Sequence, residues 1–213
     1  VPLKVLVDVL DLLEELTAVC VENGVTLGRV EALGAVRGAR LGFYDQEARE
    51  YAGGCEVGPI AFDPDDPSVI WSGCYGGIIN IWDRTTDVRR NVNLYPSNQN
   101  LAPKELRYRF QWIAPIVMDP LDSNTVYHAS QYLHRTTDGG MTWETISPDL
   151  TTNTPEHQEY PGGPIHADHT GVEVFNTIFS VEPSPHEAGT IWVGSDDGRV
   201  HITRDGGERW TRI

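Results

Sequence analysis

The chain has 213 residues, 39% of them hydrophobic, which is enough for one domain or two small ones with a buried core. A formal net charge of −15 disfavours non-specific contact with nucleic acids and anionic membranes, because both would be repelled. Three cysteines without C-x-x-C spacing predict no disulfide framework, and neither a membrane-spanning stretch nor a secretion signal is found. We therefore expect no nucleic-acid or membrane partner.

Residues 1–54 predict a short α/β segment. Apolar residues at three- and four-residue steps from Asp8 to Gly24 predict an amphipathic helix, with Asp8 as its N-cap. Residues 25–30 and 38–45 have the composition of strands, and residues 47–51 resemble the far side of a hairpin.

This segment resembles the first half of the PPC (plant and prokaryote conserved) domain. The resemblance is carried by residues 22–25 (ENGV), 33–36 (LGAV), 39–45 (ARLGFYD) and 50–51 (EY). It implies an α/β fold, often trimeric and linked to DNA binding in plants. The family's later His-rich strand, which sometimes holds a metal, does not follow here and nothing basic replaces it, so DNA binding is not expected.

Residues 55–213 contain three similar units, which begin near Gly58, Ala114 and Ile178. Each holds several short runs rich in Val, Ile, Trp and Tyr, separated by turns of Gly, Pro and Asp. Small antiparallel sheets repeated in series are typical of propeller blades. The sequence therefore predicts a mainly β chain, with a partial β-propeller of about three blades after the α/β segment.

Two of the units end in the same turn, at residues 136–143 (TTDGGMTW) and 203–210 (TRDGGERW). The Asp can accept main-chain amides, the glycines supply positive φ, and the Trp can lie between sheets. The predicted structural residues are Thr136, Asp138, Gly140, Trp143, Thr203, Asp205, Gly207 and Trp210. The first unit has only residues 83–87 (DRTTD) with no Trp after them, so its hairpin is predicted to turn differently.

The repeated turn resembles the Asp box, S/T-x-D-x-G-x-T-W, with Arg209 standing where Thr is usual. Residues 58–213 are similar to sortilin-type and bacterial-neuraminidase-repeat (BNR) propellers, especially bacterial proteins labelled glycosyl hydrolases. Further matching stretches are residues 90–96, 106–112, 143–151, 162–165, 168–173 and 195–198. The resemblance implies either a glycan-processing enzyme or a receptor for peptides. Such proteins are commonly exported, but this sequence leaves the localisation open.

Two long connections, residues 93–107 and 147–176, are the candidate binding loops, because long loops on a rigid scaffold often line binding sites. The candidate ligand-binding residues are Tyr95, Arg107, Arg109, Trp112, Tyr160, His166 and His169. Strand alternation would place Tyr108 on the face opposite Arg107 and Arg109, which argues against one shared neuraminidase-like site. His166 and His169 with Asp168 lack a third ligand at a firm spacing, so surface histidines are predicted rather than a metal site.

Most aspartates lie in predicted turns, so no catalytic residues are assigned. The sequence has no phosphate-binding loop, no G-x-S-x-G and no H-E-x-x-H, so no cofactor is expected. The predicted function is a non-catalytic module that presents its loops to a glycan or to a peptide or protein. The alternative is a piece of a BNR-repeat glycoside hydrolase acting on a polysaccharide. Three blades leave sheet faces and edges open, so self-association through them is also expected.

Overall fold

A computed structural model of the protein describes residues 44–45, 50–51, 60–63, 65–66, 68–96, 101–160, 162–163, 165–167 and 174–213. The predicted N-terminal helix lies outside the described residues, as does most of the segment that resembles a PPC domain. The first strands are β1 (Tyr44–Asp45), β2 (Glu50–Tyr51), β3 (Ile60–Phe62), β4 (Val69–Cys74), β5 (Ile78–Asp83), β6 (Val88–Asn91), β7 (Ile116–Asp119) and β8 (Asp122–Ala129). The others are β9 (Leu133–Thr136), β10 (Glu144–Thr145), β11 (Gly162–Gly163), β12 (His166–Ala167), β13 (Ile178–Pro183), β14 (Ile191–Ser195), β15 (Val200–Thr203) and β16 (Thr211–Arg212).

Twelve of these strands form three four-stranded antiparallel sheets, each with its strands in chain order. Blade 1 comprises β3–β6, blade 2 comprises β7–β10, and blade 3 comprises β13–β16. Two short ladders, β1 with β2 and β11 with β12, account for the other described strands. Meanders of this size in series form a partial β-propeller, which confirms the predicted fold class.

The helical content of the described residues is limited to short 3-10 turns, at Tyr75–Gly77, Pro103–Glu105 and Pro155–His157. None of them has the length or the apolar character to span a membrane.

The core lies between the blades, because alternate residues of a strand face opposite sides of its sheet. The space between blades 1 and 2 is filled by Ala61, Trp71, Ile79, Ile81, Val92, Ile116 and Val126. The space between blades 2 and 3 is filled by Tyr127, Ala129, Leu133, Ile146, Leu150, Ile178, Val181, Ile191 and Val193. Each blade thus buries one apolar face against its neighbour, and this burial is what holds the array together.

Blade 2 also buries two histidines, His128 and His134, which lie directly opposite each other on β8 and β9. The Nδ1 of His128 lies 2.8 Å from the carbonyl oxygen of Pro115, to which it donates. The Nε2 of His134 lies 2.8 Å from Ser130 Oγ, and its Nδ1 lies 3.0 Å from Thr145 Oγ1. Burial lowers the pKa of His128 to about 4, and burial together with His128 lowers the pKa of His134 to about 3. Both rings are therefore neutral at pH 7.

We expect the free energy of unfolding to decline as the pH falls from 6.5 towards 4. Both folded pKa values lie below the unfolded value of 6.5, so the unfolded chain takes up protons that the folded state excludes. The stabilisation is complete above pH 6.5 and is lost progressively below it. The variant His128→Asn keeps an N–H for Pro115 and removes one titrating ring, so its decline should be shallower.

The measurement is the urea midpoint at about pH 7 and at about pH 4.5 for each variant. The exposed His157, changed to Asn, is the control and should retain the wild-type decline. If His128→Asn showed the same decline as wild type, the buried His128 would not be a cause of the pH dependence. Protonation of Asp138, whose pKa is lowered to about 2 by hydrogen bonds from Thr142, occurs at more acidic pH and does not overlap this range.

Candidate ligand-binding surface on the blade loops

The turn between β9 and β10 is closed around the carboxylate of Asp138. Its Oδ1 accepts from the Thr142 main-chain N at 2.9 Å and from Thr136 Oγ1 at 2.8 Å, and its Oδ2 accepts from Thr142 Oγ1 at 2.6 Å. The Thr136 hydroxyl oxygen in turn accepts from the Gly140 N at 3.0 Å. These bonds lower the pKa of Asp138 to about 2, so the carboxylate is ionised at neutral pH.

The turn between β15 and β16 repeats this geometry around Asp205. Thr203 Oγ1 donates to Asp205 Oδ1 at 2.8 Å, and the Gly207 N donates to Thr203 Oγ1 at 3.0 Å. At the position where Thr142 stands in the first turn, Arg209 donates its main-chain N to Oδ1 at 2.9 Å and its Nε to Oδ2 at 3.1 Å. The guanidinium therefore replaces the threonine hydroxyl as the second donor to the carboxylate.

Each of these turns docks on the blade before it. The indole Nε1 of Trp143 donates to the carbonyl of Val92 at 2.9 Å, and that of Trp210 donates to the carbonyl of Ile146 at 2.9 Å. Val92 follows the last strand of blade 1, and Ile146 follows the last strand of blade 2. Trp143 also meets Trp71 of blade 1 edge-on, with ring centroids 6.5 Å apart. The repeated turn is thus a clasp between consecutive blades.

Blade 1 turns differently between β5 and β6. Asp83 Oδ1 accepts from the Thr85 N at 2.8 Å, and its Oδ2 accepts from Thr86 Oγ1 at 2.8 Å. Trp82 precedes the turn rather than following it, and its Nε1 donates to Asp87 Oδ1 at 2.9 Å. Asp87 has a φ of 52°, which closes this tighter turn without a glycine.

We expect Gly140→Ala to destabilise the protein much more than Gly139→Ala. Both glycines have positive φ, 79° and 68°, so each substitution carries the left-handed strain of about 1 kcal/mol. A Cβ on Gly140 would also lie 2.6 Å from the Cβ of Val92, whereas a Cβ on Gly139 would have no atom closer than 3.7 Å. The measurement is the urea midpoint of the two variants, and equal losses would show that the clasp does not need the close approach to blade 1.

The long connections and the hairpins between second and third strands share one end of the blades. In a four-stranded meander, the hairpin after the second strand and the end of the fourth strand lie at the same end of the sheet. We call this the loop end. The connection from β6 to β7 contacts the hairpin of blade 2 there, because the Arg109 N donates to Gln131 Oε1 at 2.8 Å and Gln131 Nε2 donates to the Arg107 carbonyl at 3.0 Å.

An arginine and two tyrosines meet at the loop end of blades 1 and 2. The guanidinium of Arg107 lies 5.2 Å from the ring centroid of Tyr95 and 5.3 Å from that of Tyr108. The two tyrosine rings meet edge-on, with centroids 5.6 Å apart, and Tyr95 is 41% exposed. Residues 106–112 form no strand, so the predicted alternation is wrong and Arg107 lies over Tyr108 rather than opposite to it.

Trp112 extends this surface towards blade 1. Its ring meets that of Tyr75, on the blade 1 hairpin, edge-on with centroids 4.6 Å apart, and Trp112 is 39% exposed. Phe110 lies buried between the two halves, 6.2 Å from Tyr108 and stacked on the His128 ring at 4.9 Å. We call the set Tyr75, Tyr95, Arg107, Tyr108 and Trp112 the aromatic–arginine surface.

Arg109 was predicted to contact ligand, but it is buried and its side chain is engaged inside the protein. Its Nη2 donates to Asp149 Oδ2 at 3.0 Å, and its Nε donates to the carbonyl of Asn176 at 3.1 Å. The side chain thus joins the connection after blade 1 to the connection after blade 2. It supports the loops from below and is not accessible to a ligand from solvent.

Asn176 is the centre of the second connection. Fully buried with a φ of 64°, it accepts at Oδ1 from the Thr154 N at 3.0 Å and from Gln158 Nε2 at 2.9 Å. Its Nδ2 donates to Thr152 Oγ1 at 2.7 Å and to Asp197 Oδ2 at 2.8 Å. All four side-chain hydrogen-bonding positions of the amide are used, so the long loop is held to the blade 3 hairpin.

The two adjacent aspartates of the blade 3 hairpin have opposite pKa shifts. Burial raises the pKa of Asp196, whose carboxylate accepts from the Thr177 N and Oγ1, both at 3.0 Å. The pKa of Asp197 is lowered to about 2, because the hydrogen bonds from Ser195, Thr152 and Asn176 outweigh its desolvation. Because each carboxylate is already bonded to the chain, this pair acts as a structural link.

The other predicted ligand residues, Tyr160, His166 and His169, are not among those that define the aromatic–arginine surface. Tyr160 is half-buried within the second connection, and His166 is exposed on β12. His169 lies outside the described residues. In the part of the chain that the structure describes, no three His, Cys, Asp or Glu side chains are grouped as a metal site would need.

An open groove of about 490 Å³ follows blade 2 along the Asp205 turn. Its walls carry both charges, and within it Arg135 Nη2 donates to Glu144 Oε2 at 2.8 Å. The groove is a consequence of the clasp between blades 2 and 3, and its mixed lining selects no ligand class.

No protein-family model matches the sequence, and no curated protein is significantly similar to it. Among solved structures, an ancestral GH74 enzyme is 15% identical with a TM-score of 0.47, over 75% of this chain and 18% of that one.

YCF48 bound to D1 peptide is 14% identical with a TM-score of 0.45, over 75% of this chain and 40% of that one. An auxiliary nutrient binding protein from Bacteroides thetaiotaomicron is 13% identical with a TM-score of 0.45, over 73% of this chain and 35% of that one. The chain therefore spans less than half the length of each of these proteins. The fold assignment rests on the three meanders themselves.

Proposed function

We propose that the protein is a binding module that holds a peptide or protein segment on the aromatic–arginine surface. The observation that carries the proposal is the guanidinium of Arg107, held 5.2 Å from Tyr95 and 5.3 Å from Tyr108 while the side chain stays exposed. Tyr, Trp and Arg are the residues most enriched at the energetic centres of protein interfaces. Trp112 supplies the apolar contact beside them.

The chemistry favours a ligand with a carboxylate next to an apolar side chain. Contact with the two rings and with their hydroxyl groups orients the planar guanidinium. Of its five N–H donors, those that the tyrosine hydroxyls do not use remain for a carboxylate or a main-chain carbonyl. The surrounding loops are tied down through Arg109 and Asn176, so little conformational entropy is lost on binding. A carboxylate ligand is also drawn to this positive spot in preference to the rest of an acidic chain.

Binding rather than hydrolysis is favoured by the state of the nearby carboxylates. A glycosidase needs two carboxyl groups facing one bond, one of them able to donate a proton. Asp149 accepts from Arg109 and from Thr151, and Asp197 accepts from three side chains and a main-chain amide. These groups are committed to holding the loops.

Two assignments belong to the same proposal. We take residues 55–213 as the propeller unit and residues 1–54 as a separate, PPC-like segment. We also take the two clasps at Asp138 and Asp205 as Asp boxes of the BNR type, in a structural role. The observation that supports the second assignment is that the two turns repeat the same hydrogen bonds, with only the Arg209 substitution.

The test is selection from a peptide display library on the immobilised full chain, followed by titration of the enriched peptides against variants. Peptides with an acidic residue beside an apolar one should be enriched. Arg107→Ala and Trp112→Ala should each weaken binding by about tenfold or more, as interface centres do. Arg89→Ala is the matched control, because its guanidinium lies 4.9 Å from the Trp82 ring on blade 1, away from the surface.

A glycan array probed with the same protein separates the two ligand classes. Glycan hits that depend on Trp112, with no peptide enriched, would replace the peptide proposal by a glycan-binding one. Enriched peptides that bind Arg107→Ala and wild type equally would overturn the assignment of the surface.

A further inference from the structure

Each of the three blades has residues at equivalent strand positions on the face that is directed towards the following blade. On the second strand the set has an aromatic residue two positions before a small one, as in Trp71 and Gly73, Tyr127 and Ala129, and Trp192 and Gly194. The small residue is paired in register with an aliphatic residue of the third strand, which is Ile79, Leu133 and Val200 in turn. The alignment thus follows from strand register.

The residue after the fourth strand completes the set. In all three blades its main-chain N donates to the main-chain carbonyl of the aliphatic residue on the third strand, at 2.9 Å, 2.9 Å and 3.0 Å. The donors are Val92, Ile146 and Ile213, and the acceptors are the carbonyls of Ile79, Leu133 and Val200. In blades 1 and 2 the carbonyl of this same residue accepts the indole N–H of the following blade's clasp.

Exposure separates blade 3 from the other two. The aromatic, the aliphatic and the post-strand residues are 3%, 0% and 7% exposed in blade 1, and 3%, 0% and 8% exposed in blade 2. The corresponding values for Trp192, Val200 and Ile213 in blade 3 are 42%, 39% and 65%. The acceptor half of a blade-to-blade interface is therefore present on blade 3 and uncovered within the described residues.

We propose that this face of blade 3 docks a further β-blade whose third-to-fourth-strand turn carries the Thr-x-Asp-Gly-Gly-x-x-Trp clasp. The incoming Trp lies edge-on against Trp192, as Trp143 lies against Trp71, and donates its indole N–H to the main-chain oxygen of Ile213. The inference is independent of the proposed ligand surface, since the residues involved are different.

A second copy of this chain does not fit the same place. The matching face of its blade 1 carries Ile60 and Ile70, which are already 8% and 6% exposed, so little apolar area is left to bury. The turn of blade 1 after β5 also has no Trp to donate, because Trp82 precedes it and is bonded to Asp87. The occupant is therefore a blade with a clasp, not blade 1 of another copy.

The test extends the full chain at Ile213 with a second copy of residues 147–213, so that a clasp-bearing blade follows blade 3. The tryptophans are labelled as 5-fluorotryptophan, and the Trp192 resonance is assigned with Trp192→Phe. In the unextended chain this resonance should show a solvent isotope shift between H₂O and D₂O. In the extended chain the isotope shift should be lost, and the thermal midpoint should rise.

The control is the same extension with Trp210→Ala in the added copy only, which should restore the isotope shift of Trp192. An added blade that stays unfolded, or one that folds while Trp192 remains exposed, would overturn the proposal. Light scattering on the unextended chain tests whether a second copy of the chain occupies this face instead. A dimer in which Trp192 is already protected, and which Trp192→Glu dissociates, would assign the face to a second copy and contradict the clasp.

Discussion

Replacing Trp143 by Ala should lower the free energy of unfolding by roughly 3–5 kcal/mol, the range for removing a packed aromatic side chain. The side chain covers Trp71 edge-on and packs on the core between blades 1 and 2, and its N–H bonds the Val92 carbonyl. A small domain has about 5–15 kcal/mol of stability in total, so this loss would unfold a substantial fraction of the protein under mild conditions. The measurement is urea unfolding followed by circular dichroism.

The matched control for this variant is Trp192→Ala, which removes a tryptophan from the open face of blade 3. Trp192 is 42% exposed and covered by no further blade within the described residues, so its loss should be about 1 kcal/mol or less. Trp143→Phe keeps the ring and removes the N–H, so it should fall between wild type and Trp143→Ala. Equal losses at Trp143 and Trp192 would contradict the view that the clasp stabilises the array.

Replacing Arg109 by Met should lower the free energy of unfolding by about 3–5 kcal/mol, because it leaves the Asp149 carboxylate of a buried ion pair without its cation. The side chains of Arg109 and Asp149 are only 6% and 19% exposed. The variant would additionally leave the Asn176 carbonyl without its donor. The expected result is a lower urea midpoint, together with faster proteolysis in the two long connections.

Arg204→Met is the control for this second experiment. Arg204 and Glu187 form a pair whose side chains are 65% and 60% exposed, and exposed pairs contribute little. Its midpoint should therefore match wild type within about 0.5 kcal/mol. If Arg109→Met behaved like Arg204→Met, the buried pair would not be what ties the two connections together, and the loop surface would not be preformed.

The two experiments address different levels of the same molecule. The Trp143 variants test how strongly one blade binds the next, and the Arg109 variant tests how firmly the long connections are attached to the blades. Arg109→Met should therefore also weaken any ligand that Arg107 binds, because the lost side-chain bonds to Asp149 and Asn176 anchor the connection that carries Arg107. If Arg109→Met is folded but no longer binds ligand, Arg109 acts by positioning Arg107 and not by contacting the ligand.

Local signals made the propeller predictable from the sequence. The strand composition and the turn residues repeat in each unit, and the role of Asp138 and Gly140 follows from what a carboxylate and a positive φ do within a few residues. The length of the connections led to Tyr95 and Arg107, which lie 5.2 Å apart, and to Trp112, which contacts Tyr75. Tyr108 was excluded by a strand alternation that residues 106–112 do not adopt, and Tyr75 lies in the blade 1 hairpin, a segment that shares no pattern with the long connections.

Arg109 illustrates the limit of residue-type arguments. Arginine in a long loop was a reasonable ligand candidate, but its direction depends on Asp149 and Asn176, which come from another connection. Asn176 carried no signal at all, although a buried Asn with a φ of 64° holds four hydrogen-bond partners. Such networks have no period and no fixed spacing, so they are invisible until the chain is folded.

The sequence by itself determined the repeated strands and the two clasps, because hydrogen bonds within a turn and alternation along a strand depend on near neighbours alone. Only the tertiary structure decided which side chains are covered. Trp71, Tyr127 and Trp192 occupy the same position in their strands, yet the first two are buried and the third is exposed. Whether such a side chain is buried depends on the neighbouring blade that covers it, and the residues of its own strand do not determine this.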